Sequence, residues 1–211
     1  MTAFAPTPRH RCGSDAGPDY DIVGFGGSAG GITALTEILS LLPATFRIPI
    51  LAVQHLPRRS HSSLPMVLGY RTLLKVKWAE HGERPRGGTV YVAPAGCHLM
   101  VAHDESLDLS SPVPLVNCFK PAIDPLFESI ARVFGKRGIA IVLSGMMSDG
   151  MRGSAAVRNG GGIAMAQSEV TSMHFDMPCA AIDLGGVEIR FSPRKIADAL
   201  CALGCEDLHR D

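Results

Sequence analysis

The chain alternates between short apolar runs and longer segments whose apolar residues recur at helical spacing. A short apolar run bounded by loops is typical of a strand buried in a parallel sheet. Apolar residues three or four positions apart, as at 32–42, predict a helix that buries one face. The strand-like runs lie at 21–23, 48–53, 138–143 and 163–166. Repeated strand, loop and helix units predict a doubly wound three-layer α/β/α sandwich with a mainly parallel sheet.

The middle of the chain has a different pattern. Strand-like segments at 89–92, 99–102 and 107–109 are separated by turns rich in Pro, Gly and charged residues. Short strands joined by such turns predict an antiparallel hairpin added to the parallel sheet. The pair Asp124 and Pro125 is typical of an N-cap and a first helical position, so we predict that a helix begins there.

The two ends of the chain differ from its centre. Residues 1–19 are rich in Pro, Gly, Arg and Ser without periodicity, so we expect a disordered leader. Residues 20–205 are expected to form one folded domain, and residues 206–211 a C-terminal tail. A chain of 211 residues is long enough for a single domain with a sizeable core.

Charge and cysteine content point to no special partner. The 20 basic and 20 acidic residues cancel, so no electrostatic argument supports binding to nucleic acid. The six cysteines form no C-x-x-C pair, so we expect reduced thiols rather than a metal site or a disulfide framework. No signal peptide is recognisable, and no apolar run approaches the ~20 residues that a membrane span needs. We expect a soluble, cytoplasmic protein without membrane insertion, and the pattern makes no prediction about oligomeric state.

A glycine-rich segment at 24–31 follows the first predicted strand and opens the first predicted helix. The pattern G-x-S-x-G at 26–30 has the form of a nucleophile elbow, which exposes the hydroxyl of Ser28 at the end of a strand. The overlapping pattern G-x-G-x-x-A at 24–29 has the form of a dinucleotide-binding loop. The two patterns predict different functions, so residues elsewhere must decide between them.

Three predicted strands end in loops that contain Ser28, His55 and Asp149. Loops at the carboxyl ends of parallel strands meet at one edge of a sheet, where ligands bind. A serine, a histidine and an aspartate at one edge can form a triad: Ser28 attacks, His55 transfers its proton, and Asp149 orients the imidazole. A dinucleotide site needs a carboxylate after the second strand, but residues 54–56 are Gln, His and Leu.

Several of these loops resemble, in order along the chain, the catalytic domain of the chemotaxis protein-glutamate methylesterases, the CheB family. The likeness runs from about residue 22 to residue 203. It rests on segments at 27–31, 54–57, 143–150, 166–169 and 177–178. The resemblance implies a parallel sheet flanked by helices, with an added hairpin. It also implies that Ser28, His55 and Asp149 form the triad, and that no metal or organic cofactor takes part.

The resemblance further implies a reaction and a partner. The substrates would be γ-glutamyl methyl esters on the cytoplasmic helices of methyl-accepting chemoreceptors, hydrolysed to glutamate and methanol. Deamidation of certain receptor glutamines would use the same acyl-enzyme, because only the leaving group changes. Backbone N–H groups in the turn at Gly30 and Gly31, or at Met146, are expected to stabilise the oxyanion, and Ala29 is expected to line the same pocket.

The chain departs from the family pattern at several positions. Ala29 stands where the family often has threonine, Asp176 where it has glycine, and Cys179 where a basic residue is frequent. These changes leave the chemistry intact and bear on substrate choice. The family commonly carries a phosphoryl-receiving domain before the catalytic one, whereas only the leader precedes it here, so we expect no phosphorylation switch within this chain. Two alternatives stay open: a non-catalytic regulatory or binding module and, disfavoured, a nucleotide-binding protein.

Overall fold

The computed structural model describes residues 20–55, 62–110 and 121–204. The predicted leader, the predicted C-terminal tail and the matched positions 56–57 lie outside these ranges. The strands are β1 Ile22–Gly27, β2 Ile50–Gln54, β3 Lys75–Trp78, β4 Thr89–Val92, β5 His98–Val101, β6 Leu107–Ser110, β7 Gly138–Val142, β8 Ile163–Gln167 and β9 Ile189–Phe191. The helices are α1 Gly31–Leu41, α2 Leu64–Gly69, α3 Ile123–Phe134, α4 Met151–Asn159, α5 Asp176–Asp183 and α6 Pro193–Gly204, with short 3₁₀ turns at Gly135–Arg137 and Glu169–Thr171.

Seven of these strands form one parallel sheet in the order β3-β4-β2-β1-β7-β8-β9. β1 lies at its centre, between β2 on one side and β7 on the other. The strand order reverses direction at β1, and such a switch point opens a crevice at the carboxyl ends of the strands. The predicted doubly wound α/β fold is therefore confirmed.

Two apolar cores lie on opposite faces of the sheet. One contains Phe25, Ile38 and Leu200, because α1, α2 and α6 pack on that face. The other contains Phe127 and Val157, because α3, α4 and α5 pack on the opposite face. Side chains of successive strand residues point to opposite faces, so the continuous apolar strands serve both cores at once.

The antiparallel hairpin is present, but it consists of β5 and β6 alone and forms a separate two-stranded sheet. The first predicted hairpin strand, β4, is instead a fully buried member of the parallel sheet. The hairpin packs on α3, where the Ser129 hydroxyl accepts a hydrogen bond from the Val101 N–H at 2.9 Å. The imidazole of His98, buried in β5, accepts another from the Ala122 N–H at 3.2 Å.

Candidate active site at the carboxyl edge of the sheet

The turn from β1 into α1 places Ser28 at the switch point. Only residues 28–30 separate the end of the strand from the first residue of the helix. Gly30 has a φ of 83°, in the left-handed region that favours glycine. A Cβ atom at Gly30 would also lie 2.7 Å from the Ser144 hydroxyl oxygen. A tight turn of this kind leaves the side chain of Ser28 partly exposed.

Two of the glycines in the segment have a packing role within β1. A Cβ atom at Gly24 would lie 2.6 Å from a methyl group of Ile130, and one at Gly26 would overlap the side chain of Ile123. Both neighbours belong to α3, so these glycines allow that helix to approach the sheet. The glycine spacing that resembled a dinucleotide loop is thus explained by helix packing.

His55 follows β2 directly beside the serine turn. Its backbone N–H donates to the carbonyl of Gly27 at 3.1 Å, which places it next to Ser28 on the neighbouring strand. Its Nε2 atom lies 2.7 Å from Oδ2 of Asp149, a residue 94 positions further along the chain. The side chains of His55 and Asp149 are 5% and 0% exposed, so solvent does not compete for this hydrogen bond.

The Asp149 carboxylate also caps α3. Its Oδ2 atom accepts the Ile123 N–H at 2.8 Å and its Oδ1 atom accepts the Asp124 N–H at 3.1 Å. Burial alone raises the pKa of Asp149, but the hydrogen bonds from His55 and from these two N–H groups outweigh it, and the net pKa is lowered. The positive end of the α3 dipole favours the same charge. Asp149 is therefore an anion at neutral pH.

The prediction that Asp124 is the N-cap of α3 is wrong. The helix begins two residues earlier than predicted, at Ile123, with Ala122 as the N-cap and no side-chain cap of its own. The Asp149 carboxylate takes that role, so the start of the helix depends on a residue distant in sequence. The carboxylate of Asp124 turns towards α4, where it accepts the Gly153 N–H at 2.8 Å and lies 3.3 Å from Nε of Arg152.

Buried polar side chains hold the loops around Ser28. The Gln54 side-chain amide donates to the carbonyl of Ser28 at 2.8 Å. The Ser144 hydroxyl donates to the carbonyl of Ala29 at 2.7 Å, and the Ser144 N–H donates to the side chain of Gln167 at 2.9 Å. The sequence pattern alone predicted no role for these three residues. A role for the two glutamines was predictable, because each ends an otherwise apolar strand. A polar side chain buried at such a position needs a hydrogen-bond partner.

The residues predicted for the oxyanion pocket differ in whether their backbone N–H groups already donate a hydrogen bond. The Gly31 N–H donates to the carbonyl of Ser28 at 2.9 Å, so it is already engaged. Ala29 and Gly30 lie in the same turn, and Met146, in the loop between β7 and α4, has 51% of its surface exposed. The next residue, Met147, has a φ of 69°, which is uncommon for a non-glycine residue and marks a tight turn beside the site.

Two structural observations bear on cofactors and membranes. Within residues 20–55, 62–110 and 121–204, no group of three or more His, Cys, Asp or Glu residues is arranged to hold a metal ion. In the same part of the chain, no helix is both long enough and apolar enough to cross a bilayer.

A parallel sheet flanked by helices, with a partly exposed serine and a buried His–Asp pair at its central switch point, defines a doubly wound domain of the α/β class. The family model described as CheB methylesterase matches residues 23–200 of this chain. The chain therefore belongs to the CheB methylesterase family, a family of enzymes.

Individual relatives and a solved structure agree with this assignment. A Leptospira interrogans protein, provisionally named a protein-glutamate methylesterase/protein-glutamine glutaminase, is 36% identical over 192 residues, which cover 91% of this chain and 99% of that protein. A Rhizobium meliloti protein, named protein-glutamate methylesterase/protein-glutamine glutaminase of group 3 operon, is 41% identical, and the match covers 86% of this chain and 51% of that protein. The crystal structure of the Thermotoga maritima CheB methylesterase catalytic domain matches with a TM-score of 0.83 at 34% identity, covering 90% of this chain and 100% of that one.

Proposed function

We propose that this protein hydrolyses glutamyl methyl esters on chemoreceptors through a triad of Ser28, His55 and Asp149. The observation that carries the proposal is the buried hydrogen bond of 2.7 Å between His55 and Asp149, directly beside the turn that holds Ser28. A histidine that is oriented by a carboxylate next to a partly exposed serine is the arrangement that nucleophilic catalysis needs. We propose residues 20–205 as the catalytic domain.

The geometry supports a specific role for each ring nitrogen of His55. Asp149 is anionic and lies next to Nε2, so the neutral imidazole carries its proton on Nε2 and donates it to the carboxylate. Nδ1 is then the basic nitrogen that removes the proton from the Ser28 hydroxyl. As that proton leaves, the Ser28 oxygen attacks the ester carbonyl, and a tetrahedral intermediate forms while Asp149 stabilises the imidazolium.

The intermediate then collapses. The bond to the methoxy group breaks, and the methoxy oxygen takes the proton from Nδ1 of His55 to leave as methanol. A water molecule, deprotonated by His55, attacks the resulting glutamyl ester of Ser28 and releases a glutamate side chain and the free serine. A glutamine substrate would follow the same path with ammonia as the leaving group, which fits the glutaminase part of the relatives' names.

Backbone donors near Ser28 would stabilise the negative oxygen of the tetrahedral intermediate. We propose the N–H groups of Met146, Ala29 and Gly30 for this role, since the Gly31 N–H is engaged with the carbonyl of Ser28. Each such donor typically lowers the barrier by about 3 kcal/mol. The substrate glutamates would lie on cytoplasmic helices of methyl-accepting chemoreceptors, so we also propose that the protein acts in the cytoplasm.

The test measures methanol release from methylated chemoreceptor by the wild type and by Ser28→Ala. We expect the variant to lose a factor on the order of 10⁴ or more, because the nucleophile is absent. A fluorophosphonate probe should label the wild type and not the variant. Equal methanol release by the two proteins would refute the serine mechanism, and a labelled wild type that releases no methanol would refute the substrate alone.

A further inference from the structure

The first turns of α3 and α4 are joined by two carboxylates that cap each other's helix. Asp149 lies two residues before the start of α4 and accepts the first two N–H groups of α3. Asp124 lies in the first turn of α3 and accepts the N–H of Gly153 in the first turn of α4 at 2.8 Å. We call these four residues the reciprocal cap: Ile123, Asp124, Asp149 and Gly153.

The reciprocal cap is buried and closely packed. The Asp124 side chain is 1% exposed. A Cβ atom at Gly153 would lie 2.5 Å from Cβ of Phe127 and 3.0 Å from the Asp124 carbonyl oxygen, so the two helices touch at this point. The guanidinium of Arg152 lies against the Asp124 carboxylate and offsets its charge. Direct contacts between the two helices therefore fix the geometry of the reciprocal cap.

We propose that Asp124 is a positioning residue for the triad. The N–H groups of α3 hold the carboxylate of Asp149 against that helix, but the backbone of Asp149 moves with the start of α4. The hydrogen bond from Gly153 to Asp124 fixes α4 against α3, so Asp149 stays within 2.7 Å of His55. Without that bond, the loop that ends at Gly150 would shift and the imidazole would lose its orientation.

The proposed role of Asp124 rests on the proposed triad wherever the reactivity of Ser28 is measured. The test therefore also includes a measurement that does not depend on Ser28. The first comparison is Asp124→Ala against Asp124→Asn. The asparagine oxygen can still accept the Gly153 N–H, whereas alanine cannot. Small displacements of reacting groups cost up to about 10²-fold in rate, so we expect labelling of Ser28 by a fluorophosphonate to slow by roughly 10- to 100-fold in Asp124→Ala. In Asp124→Asn it should stay within about fivefold of the wild type, since the positioning contact is kept.

The second measurement is the proton NMR signal of the His55 imidazole Nε2–H, which lies far downfield when the proton is held in a short hydrogen bond to a carboxylate. We expect this signal in the wild type and in Asp124→Asn, and its loss in Asp124→Ala. Ser129→Ala is the matched control. Ser129 is also buried on α3 and accepts a backbone N–H from another element, but that element is the hairpin and not the site. Ser129→Ala should keep both the signal and the labelling rate of its folded fraction.

Two results would overturn the proposal. One is wild-type labelling and an intact imidazole signal in Asp124→Ala. The other is an equal loss in Asp124→Ala and Ser129→Ala, which would mean general destabilisation. If Asp124→Ala does not fold, Asp124→Glu decides, because it keeps the charge and displaces the acceptor: slow labelling supports positioning, and wild-type labelling refutes it. An unlabelled wild type would refute the triad itself, while the imidazole signal still reports on Asp124.

Discussion

Two histidine–aspartate pairs in this protein join the same residue types in different surroundings. Between His55 and Asp149, nitrogen and oxygen are 2.7 Å apart, and the side chains are 5% and 0% exposed. Between His81 and Asp108 the distance is 3.3 Å, and the side chains are 70% and 34% exposed. The first pair joins loops at the centre of the sheet. The second joins the loop after β3 to the outer hairpin.

The difference between the pairs lies in what surrounds the carboxylate. Asp149 accepts two further N–H groups from the start of α3, so its charge is hydrogen-bonded on both oxygens. The carboxylate of Asp108 is partly open to water. Nδ1 of His81 accepts the Leu109 N–H at 3.3 Å, so a neutral His81 does not donate from that nitrogen to Asp108. Exposed ion pairs are typically worth about 0–1 kcal/mol, whereas hydrogen bonds to buried charged groups are worth about 1.5–3 kcal/mol. Position in the fold, and not residue type, therefore separates a buried, hydrogen-bonded pair from a surface contact.

The largest expected difference between the pairs is in catalysis. Asp149→Asn should lower kcat/KM by a factor on the order of 10⁴, since a neutral amide neither stabilises the imidazolium nor favours the required tautomer of His55. Its NH₂ group would also face a backbone N–H of α3, and an unsatisfied buried donor costs about 1–3 kcal/mol of stability. Activity is measured by methanol release and stability by urea unfolding.

Asp108→Asn is the matched control, because it removes the carboxylate from the exposed pair. We expect wild-type activity and a free energy of unfolding within about 0.5 kcal/mol of the wild type. A comparable loss of activity in the two variants would contradict the distinction between the pairs.

The serine, histidine and aspartate positions were predictable because parallel strands all end at one edge, so residues after β1, β2 and β7 must converge there. The orientation of the His55 imidazole was not predictable, because it depends on the position of the Asp149 carboxylate, 94 residues further along the chain. The role of Asp124 was missed for a related reason. Its neighbour Pro125 gave a local capping signal, but the helix is capped by a distant residue, and tertiary contact overrode that signal.

The strand at 89–92 shows another limit of local pattern. All four of its residues are buried, and such a short run carries no periodicity that could assign it to the sheet or to the hairpin. Only pairing with β2 and β3 assigns it to the parallel sheet. The hairpin itself was predictable, because its turn residues mark a reversal of the chain.

Acid should weaken the buried pair through Asp149. Its pKa in the folded protein lies below the ordinary value of 3.8, so the folded state favours the carboxylate more than the unfolded state does. The resulting stability is fully present above about pH 5 and is lost as the pH falls through the folded pKa. The free-energy difference between the wild type and Asp149→Asn, measured by urea unfolding, should therefore shrink below about pH 4. A difference that stays constant down to pH 2 would show that the charge of Asp149 adds no stability.

The smallest expected effect is the coupling within the exposed pair. A double-mutant cycle with His81→Ala and Asp108→Ala should give a coupling free energy below about 0.5 kcal/mol, because both groups are hydrated and the pair distance is long. Raising the salt concentration to 1 M, where the Debye length is about 3 Å, should reduce even this. The same cycle on His55 and Asp149 should give about 1.5–3 kcal/mol and respond little to salt, since the pair is screened from solvent. A coupling free energy at the exposed pair as large as that at the buried pair would mean that a histidine and an aspartate need no burial to interact strongly here. The physical basis of the comparison between the pairs would then be wrong.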